Sequence, residues 1–169
     1  MATIADNIVL ARMTFTEGEP PIFYVPEANS QSFVKGELVY IVGGYLTKVP
    51  ADAYVSVYGV AAAPSANSAS AQANGVMTPV ELALETTVFE ANMKQTGLAN
   101  HTSVAGDFGV VMAIQRDTVN NKMFLNASDV VTNPRVFVHG PGQGSVVGDV
   151  NPRALFTFLA KYTQFGATS

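Results

Sequence analysis

Apolar and polar residues alternate with a period of two along much of the chain, which is the pattern of half-buried β-strands. The clearest example is ELVYIVGGYLTKV, residues 37–49, in which two apolar runs flank Gly43 and Gly44. A Gly-Gly pair supplies the positive φ angles of a two-residue turn, so this stretch predicts a β-hairpin. A second hairpin is predicted for FGVVMAIQRDTVNNKMFLNAS, residues 108–128, with DTVNN as its loop. Shorter strands are predicted at residues 8–16, 53–61 and 135–140.

These short strands, separated by glycine and proline, predict an all-β fold. We expect a compact antiparallel β-sandwich or barrel, formed by a single β-rich body over residues 32–169. One small echo occurs, because Asn-Pro-Arg precedes an apolar run at residues 133–135 and again at 151–153. Asn-Pro is a common turn opener, and no longer repeat accompanies it, so the sequence does not support an internally duplicated fold.

Two segments can be interpreted either as strand or as helix. In residues 79–94 a capping pattern at the start fits a helix, but the alternation of apolar and polar residues over 80–88 favours a strand. In residues 152–165 the caps Asn151 and Gly166 fit a helix, while a strand would place Phe156 and Phe158 on one face. The helix interpretation of residues 152–165 adds one short C-terminal helix to the fold.

The first 31 residues differ from the rest and predict an extended N-terminal arm. Pro20, Pro21 and Pro26 disfavour a central strand there, because proline has no backbone N–H to donate. The apolar residues between these prolines would be costly to leave in water. We therefore expect the arm to lie on its own body or on a neighbouring subunit.

The stretch GVAAAPSANSASAQANGV, residues 59–76, contains a long Ala/Ser loop at residues 62–75. The strands before it are too few to close a core alone, so it is a loop within one domain rather than a linker. A loop of this length is usually functional or mobile. We expect it at a subunit boundary or at the outer tip.

Composition narrows the classes of function. Charged residues make up only 13% of the chain, against 48% apolar residues, which favours a subunit of an assembly. The net charge is −4 and the nine Lys and Arg residues form no run, so no nucleic-acid partner is expected. No apolar run of 18 residues and no signal-peptide pattern appear, so we expect no membrane partner and synthesis in a cytoplasm.

Little in the chain indicates catalysis. The two histidines, His101 and His139, are each interpreted as a solvated or hydrogen-bonded surface imidazole rather than a catalytic base. His101 and Asp107 could be written into a Ser-His-Asp set, but no serine lies in a G-x-S-x-G elbow. There is no cysteine and no metal-binding motif, so we predict no catalytic residue, no metal site and no cofactor.

From Phe33 to about residue 130, the chain resembles the head decoration (cement) proteins of tailed bacteriophages and related phage minor structural proteins. The resemblance rests on Lys35-Gly36-Glu37-Leu38-Val39, on Gly59-Val60-Ala61 followed by the Ala/Ser stretch, on PVELALETTVFEA, and on Asp107-Phe108-Gly109 opening a hairpin. The resemblance lies in the order and the residue composition of these segments.

The resemblance implies a structural protein of the virion that is made in the host bacterial cytoplasm and binds the outer surface of the capsid. Its expected partners are the major capsid protein and further copies of itself, as a homotrimer, and its expected role is to stabilise the shell by bridging capsid subunits. The arm would supply the capsid contacts, with six apolar anchors: Ile8, Leu10, Phe15, Ile22, Phe23 and Tyr24.

Other classes of protein share this texture. The chain could be another virion subunit, such as a tail-tube protein, or a carbohydrate-binding β-sandwich. A hydrolase on a β-scaffold would need clustered carboxylates in a cleft.

Overall fold

The computed structural model describes residues 9–14, 22–50, 55–117, 120, 122–129 and 135–166, with the backbone alone for residues 9–14 and 135. The predicted all-β, mainly antiparallel fold is confirmed. The strands are β1 Val9–Thr14, β2 Ile22–Pro26, β3 Leu38–Val42, β4 Tyr45–Lys48, β5 Gly59–Ala61, β6 Met77–Leu82, β7 Thr87–Lys94, β8 Val110–Asp117, β9 Lys122–Asn126, β10 Arg135–Pro141 and β11 Arg153–Phe158.

Both ambiguous segments are strands. Residues 79–94 hold most of β6 and the whole of β7, joined by a turn at residues 85–86. Residues 152–165 hold β11, which buries Phe156 and Phe158, followed by a three-residue 3₁₀ turn at Ala160–Tyr162. The possible C-terminal helix is therefore reduced to this turn, because the two phenylalanines are both buried only when they alternate along a strand. Both predicted hairpins, β3–β4 and β8–β9, are present.

The strands form two rings with the same connectivity. In the first sheet the order is β2-β6-β5-β3-β4, and in the second β7-β11-β10-β8-β9 follows the same order, with β1 added beside β7. Counted within each group of five, every neighbouring pair in the ladder is antiparallel in both sheets. We call the first ring the small barrel and the second the large barrel.

Each ring is closed by a parallel contact at the same place. In the small barrel Glu27 lies opposite Leu46 in a parallel bridge, and Ala28 N–H donates to the Leu46 carbonyl at 3.0 Å. In the large barrel Met93 lies opposite Leu125 in a parallel pairing of β7 with β9. Closing a barrel requires a fixed stagger between its strands, so the matching closure shows that the two rings share one stagger.

Equivalent hydrogen bonds confirm the correspondence. The equivalent strands β3 and β8 are each preceded by a glycine with positive φ, which is Gly36 at 83° and Gly109 at 76°. Gly36 N–H donates to the Ala61 carbonyl at 2.8 Å, and Gly109 N–H donates to the Val138 carbonyl at 2.7 Å. The Gly36 and Asp107-Phe108-Gly109 segments, which carry part of the family resemblance, are thus the same structural feature used twice.

The fold is internally duplicated, so the expectation drawn from the missing sequence repeat is wrong. Equivalent positions keep only the in/out alternation and the closure, which a barrel requires, and not the residue type. Leu46 and Leu125 are identical, for example, whereas Glu27 corresponds to Met93. This is why a search for repeated letters finds nothing.

Two clusters of buried residues fill the rings and also join them. Val25, Val39 and Val80 lie in the small barrel. The core of the large barrel is continuous with Leu38 and Val60, which alternate with the inward residues of β3 and β5 and so lie on the outer face of the small barrel. One barrel wall thus packs on the other.

Residues 1–31 contain β1, which pairs with β7, and β2, which pairs with β6. Both strands are therefore part of the sheets of the body. Residues 1–8 and 15–21 lie outside the described residues, and the extended arm stays a prediction.

Candidate interaction surface

The longest run of exposed apolar side chains in the described residues lies on β2. Ile22 is 52% exposed, Phe23 50% and Tyr24 67%. We call these three residues the apolar strip. Met77 of β6 is 47% exposed and lies opposite Pro26, at the end of the β2–β6 strand pair. Leaving so much apolar surface in water is unfavourable by about 25 cal/mol per Å², so the strip is a candidate binding surface.

The exposure of Phe23 has a cause in the fold. Phe23 lies opposite Val80, and its counterpart in the large barrel, Phe89, lies opposite Phe156. Phe89 is fully buried, with its ring 5.8 Å from Phe156, and β1 runs along that edge of β7. No described strand covers the matching edge of β2, so an inward-facing aromatic residue is left half exposed.

Three of the six predicted anchors thus lie together on one strand. Leu10 is in β1, where its backbone lies opposite Phe89, away from this strand. Ile8 and Phe15 fall outside the described residues. Sequence reasoning grouped all six on one arm because it could not show that β1 and β2 belong to different barrels.

The Ala/Ser loop at residues 62–75 is held to the body at several points. Ser65 N–H donates to the Phe33 carbonyl at 3.0 Å, and Ser30 N–H donates to the Ser68 carbonyl at 2.8 Å. Ala71 is fully buried. These contacts attach the loop to the small barrel.

A buried carboxylate anchors the middle of this loop. Glu27 is fully buried, and its two oxygens accept the Ala66 N–H at 3.1 Å each, while Thr78 Oγ donates to one of them at 2.8 Å. Hydrogen bonds to a charged acceptor are stronger than neutral ones, so this contact holds the loop across the end of the barrel.

A second buried carboxylate joins the two barrels. Glu37 is fully buried and forms ion pairs with Lys48 at 3.1 Å and with Arg116 of β8 at 3.0 Å. Arg116 also donates to the Val49 carbonyl at 2.6 Å. Burial lowers the pKa of Arg116, and the charge of Glu37 opposes that shift. Both acidic groups have structural roles, because each is buried against partners from other segments of the chain.

The histidines occupy polar contacts. His101 is buried, and its Nε2 lies 2.8 Å from Asp107 Oδ2, which also accepts the Val104 N–H. Ser103 Oγ donates to the Val146 carbonyl rather than to the imidazole. The imidazole of His101 and the carboxylate of Asp107 do meet, and their contacts fix a turn. The interpretation of His101 as a surface imidazole is wrong, because the ring is buried. His139 is exposed; partial burial lowers its pKa, and its Nε2 lies 3.1 Å from Thr157 Oγ1.

Sites for small ligands are modest in the described ranges. A cleft of about 210 Å³ is lined by Gly97, Leu98, Gln115, Arg116, Asp117 and Phe124. This volume is below the roughly 300 Å³ at which ligand pockets begin. Within the same ranges no three His, Cys, Asp or Glu side chains cluster as metal ligands would, and none of the short helices could cross a membrane.

A second group of exposed apolar residues lies on two loops of the large barrel, and sequence reasoning missed it. Val104 is 57% exposed, Val146 62%, Val147 51% and Val150 57%. Ser103 connects the loops through its contacts with Val146 and Gly148. The sequence carries no signal for it, since isolated valines in glycine-rich loops are ordinary.

Comparison with protein-family models, with curated proteins and with solved structures gives no match for this chain.

Proposed function

We propose that this chain is a structural virion protein that binds the outer surface of a phage capsid and stabilises the shell by bridging capsid subunits. The observation that carries the proposal is the apolar strip, three consecutive exposed apolar side chains on a body of low charge. The family resemblance of residues 33–130 supplies the partner, the major capsid protein.

The arrangement of the two barrels is suited to a protein that resists mechanical force. The two barrels pack on a shared core and are linked by the buried ion pair of Glu37 with Arg116. Gln164 adds a further link, because its side chain accepts the Ile41 N–H at 2.7 Å and donates to the Ile41 carbonyl at 2.9 Å. A body of this kind transmits force between two contacts instead of bending, and many weak contacts over a shell add up by multivalency.

The test is co-sedimentation of the purified protein with empty, expanded capsids of the phage that encodes it. Replacing Ile22 and Tyr24 together by serine removes two apolar anchors while leaving the backbone of β2 unchanged. If both are buried on binding, the affinity falls by about 3 kcal/mol, roughly a hundredfold. Val147→Ser is the matched control, because Val147 is equally exposed but lies on the large barrel.

Point substitutions are the better test of the arm as well. Deleting residues 1–31 would remove β2, a wall strand of the small barrel, and would confuse binding with folding. Failure of the wild-type protein to sediment with capsids would overturn the proposed function.

The alternatives predict other outcomes. A tail-tube subunit would assemble into rings or tubes without capsids. A carbohydrate-binding module would bind in a glycan array and would not sediment with capsids washed free of glycans.

A further inference from the structure

The edge of β2 that faces away from β6 meets β4 only at Glu27 and Ala28 and is open at Ile22 and Tyr24. The geometry of the ladder shows which groups this open part offers. Glu27 N–H donates to the Val76 carbonyl at 2.9 Å, so in β2 the odd-numbered residues hydrogen-bond to β6. Ala62 N–H donates to the Pro79 carbonyl, which therefore points towards β5 rather than to Tyr24 opposite it. The N–H and C=O groups of Ile22 and Tyr24 consequently point to the open edge.

The large barrel shows what belongs at this edge. There, β1 runs antiparallel to β7, with Val9 opposite Glu90 and Leu10 opposite Phe89. Phe89 corresponds to Phe23, so the missing element of the small barrel is an antiparallel strand with an apolar residue opposite Phe23. Phe89 is fully buried, whereas Phe23 is half exposed.

We propose that the occupant of this edge is β2 of a second copy of the chain, paired antiparallel about a twofold axis through Phe23. In this register Ile22 lies opposite Tyr24 of the second copy, and both open-edge residues exchange N–H and C=O hydrogen bonds. Phe23 lies opposite its own counterpart, just as Phe89 lies opposite Leu10 in the backbone pairing of β7 with β1.

The residues of β2 favour self-pairing over pairing with a charged strand. The sequence IFYVP carries no charge, so two copies can approach without like-charge repulsion. Pro26 has no N–H, which ends the ladder on that side and limits it to the window of Ile22 and Tyr24. Beside Ile22 and Tyr24 this edge has no other described strand, because β4 meets it only at Glu27 and Ala28.

Pairing would also change the face that meets the capsid. Ile22 and Tyr24 point outward on the same face, so a pair of copies presents four such side chains side by side. This consequence rests on the proposed function, whereas the pairing itself does not, and it is tested in the absence of capsids.

The first measurement is the mass of the full chain in solution by sedimentation equilibrium. Wild-type protein is expected at twice the 17.8 kDa of one chain, in contrast to the homotrimer that the family resemblance implies. Tyr24→Pro removes an open-edge N–H that β6 does not use, and it is expected to eliminate the dimer. Tyr24→Ser keeps that N–H and is expected to retain the dimer.

The second measurement uses the absence of cysteine from the chain. A non-hydrogen-bonded antiparallel pair places its Cα atoms about 4.5 Å apart, within the range of a disulfide. Phe23→Cys is therefore expected to form a covalent dimer on mild oxidation, and Val147→Cys, of equal exposure, is expected to form it much more slowly.

A wild-type monomer or trimer, a dimer that persists in folded Tyr24→Pro, or equal cross-linking of the two cysteine variants would each overturn the proposal. If Tyr24→Pro fails to fold, the cross-linking comparison decides alone. Either result leaves the capsid-binding experiment free to succeed or fail by itself.

Discussion

Replacing Glu27 by methionine tests both the duplication and the anchoring of the Ala/Ser loop. Glu27 occupies the position in the small barrel that Met93 occupies in the large one, and both are fully buried. If the correspondence is right, the small barrel accepts methionine here and stays closed. What it loses is the carboxylate that holds Ala66.

The magnitude follows from the contacts. The carboxylate accepts two donors, the Ala66 N–H and the Thr78 hydroxyl. Hydrogen bonds to a charged group contribute about 1.5–3 kcal/mol each, so their loss costs roughly 3–6 kcal/mol. Burying the methionine side chain returns about 1–2 kcal/mol. We expect a net loss of about 2–4 kcal/mol in the free energy of unfolding.

Urea denaturation measures the total, and native-state hydrogen exchange measures where it occurs. The Ala66 amide should exchange much faster in Glu27→Met, while the amides of the large barrel should keep their protection relative to global unfolding. Glu27→Gln, which keeps an acceptor oxygen, is the control and should lose less. An Ala66 amide as protected in Glu27→Met as in wild type would refute the anchoring, and a collapse of the small barrel would refute the equivalence with Met93.

Three further substitutions test the packing and the charges. Arg116→Met leaves the buried Glu37 without its partner from the other barrel and should cost about 3 kcal/mol in urea denaturation; the double variant with Glu37→Gln should recover part of this loss. Gly59→Ala places a Cβ 2.3 Å from the Glu81 carbonyl oxygen in the backbone of the neighbouring strand, and should lower stability by about 1–3 kcal/mol in the same assay, so an unchanged midpoint would contradict the close approach. Burial raises the pKa of Glu81, so its charged form opposes folding above that pKa. Glu81→Gln should therefore raise the melting temperature at pH 7, and this gain should shrink as the pH falls through the pKa of the carboxyl group. A gain independent of pH would contradict the assignment.

Local pattern was enough for some of the strands. The glycine pair at 43–44 predicted the β3–β4 hairpin, and the alternation in residues 80–88 favoured strand over helix for the segment that holds β6 and β7, because the period of side chains along a strand is a local property. The strand β2 was missed, because its prolines indicated an arm, and the strand predicted at residues 53–61 is reduced to Gly59–Ala61 in the described residues. The apolar residues at positions 22–24, predicted as anchors, are exposed, and their role in binding stays a prediction.

Strand order, closure and the duplication were decided by tertiary structure alone. The bridge of Glu27 to Leu46 and the pairing of Met93 with Leu125 join residues that are distant in sequence, and no local pattern specifies such a stagger. The role of the Ala/Ser loop was also hidden, because its anchor is a glutamate outside the loop. The sequence by itself determined the all-β class and the two hairpins, and that the strands are apolar and weakly charged. Only the tertiary structure decided that the strands form two copies of one barrel, in which β1 covers the edge of β7 while the equivalent edge of β2 is open. The reason is that a strand has a free edge only in relation to the strands that pair with it.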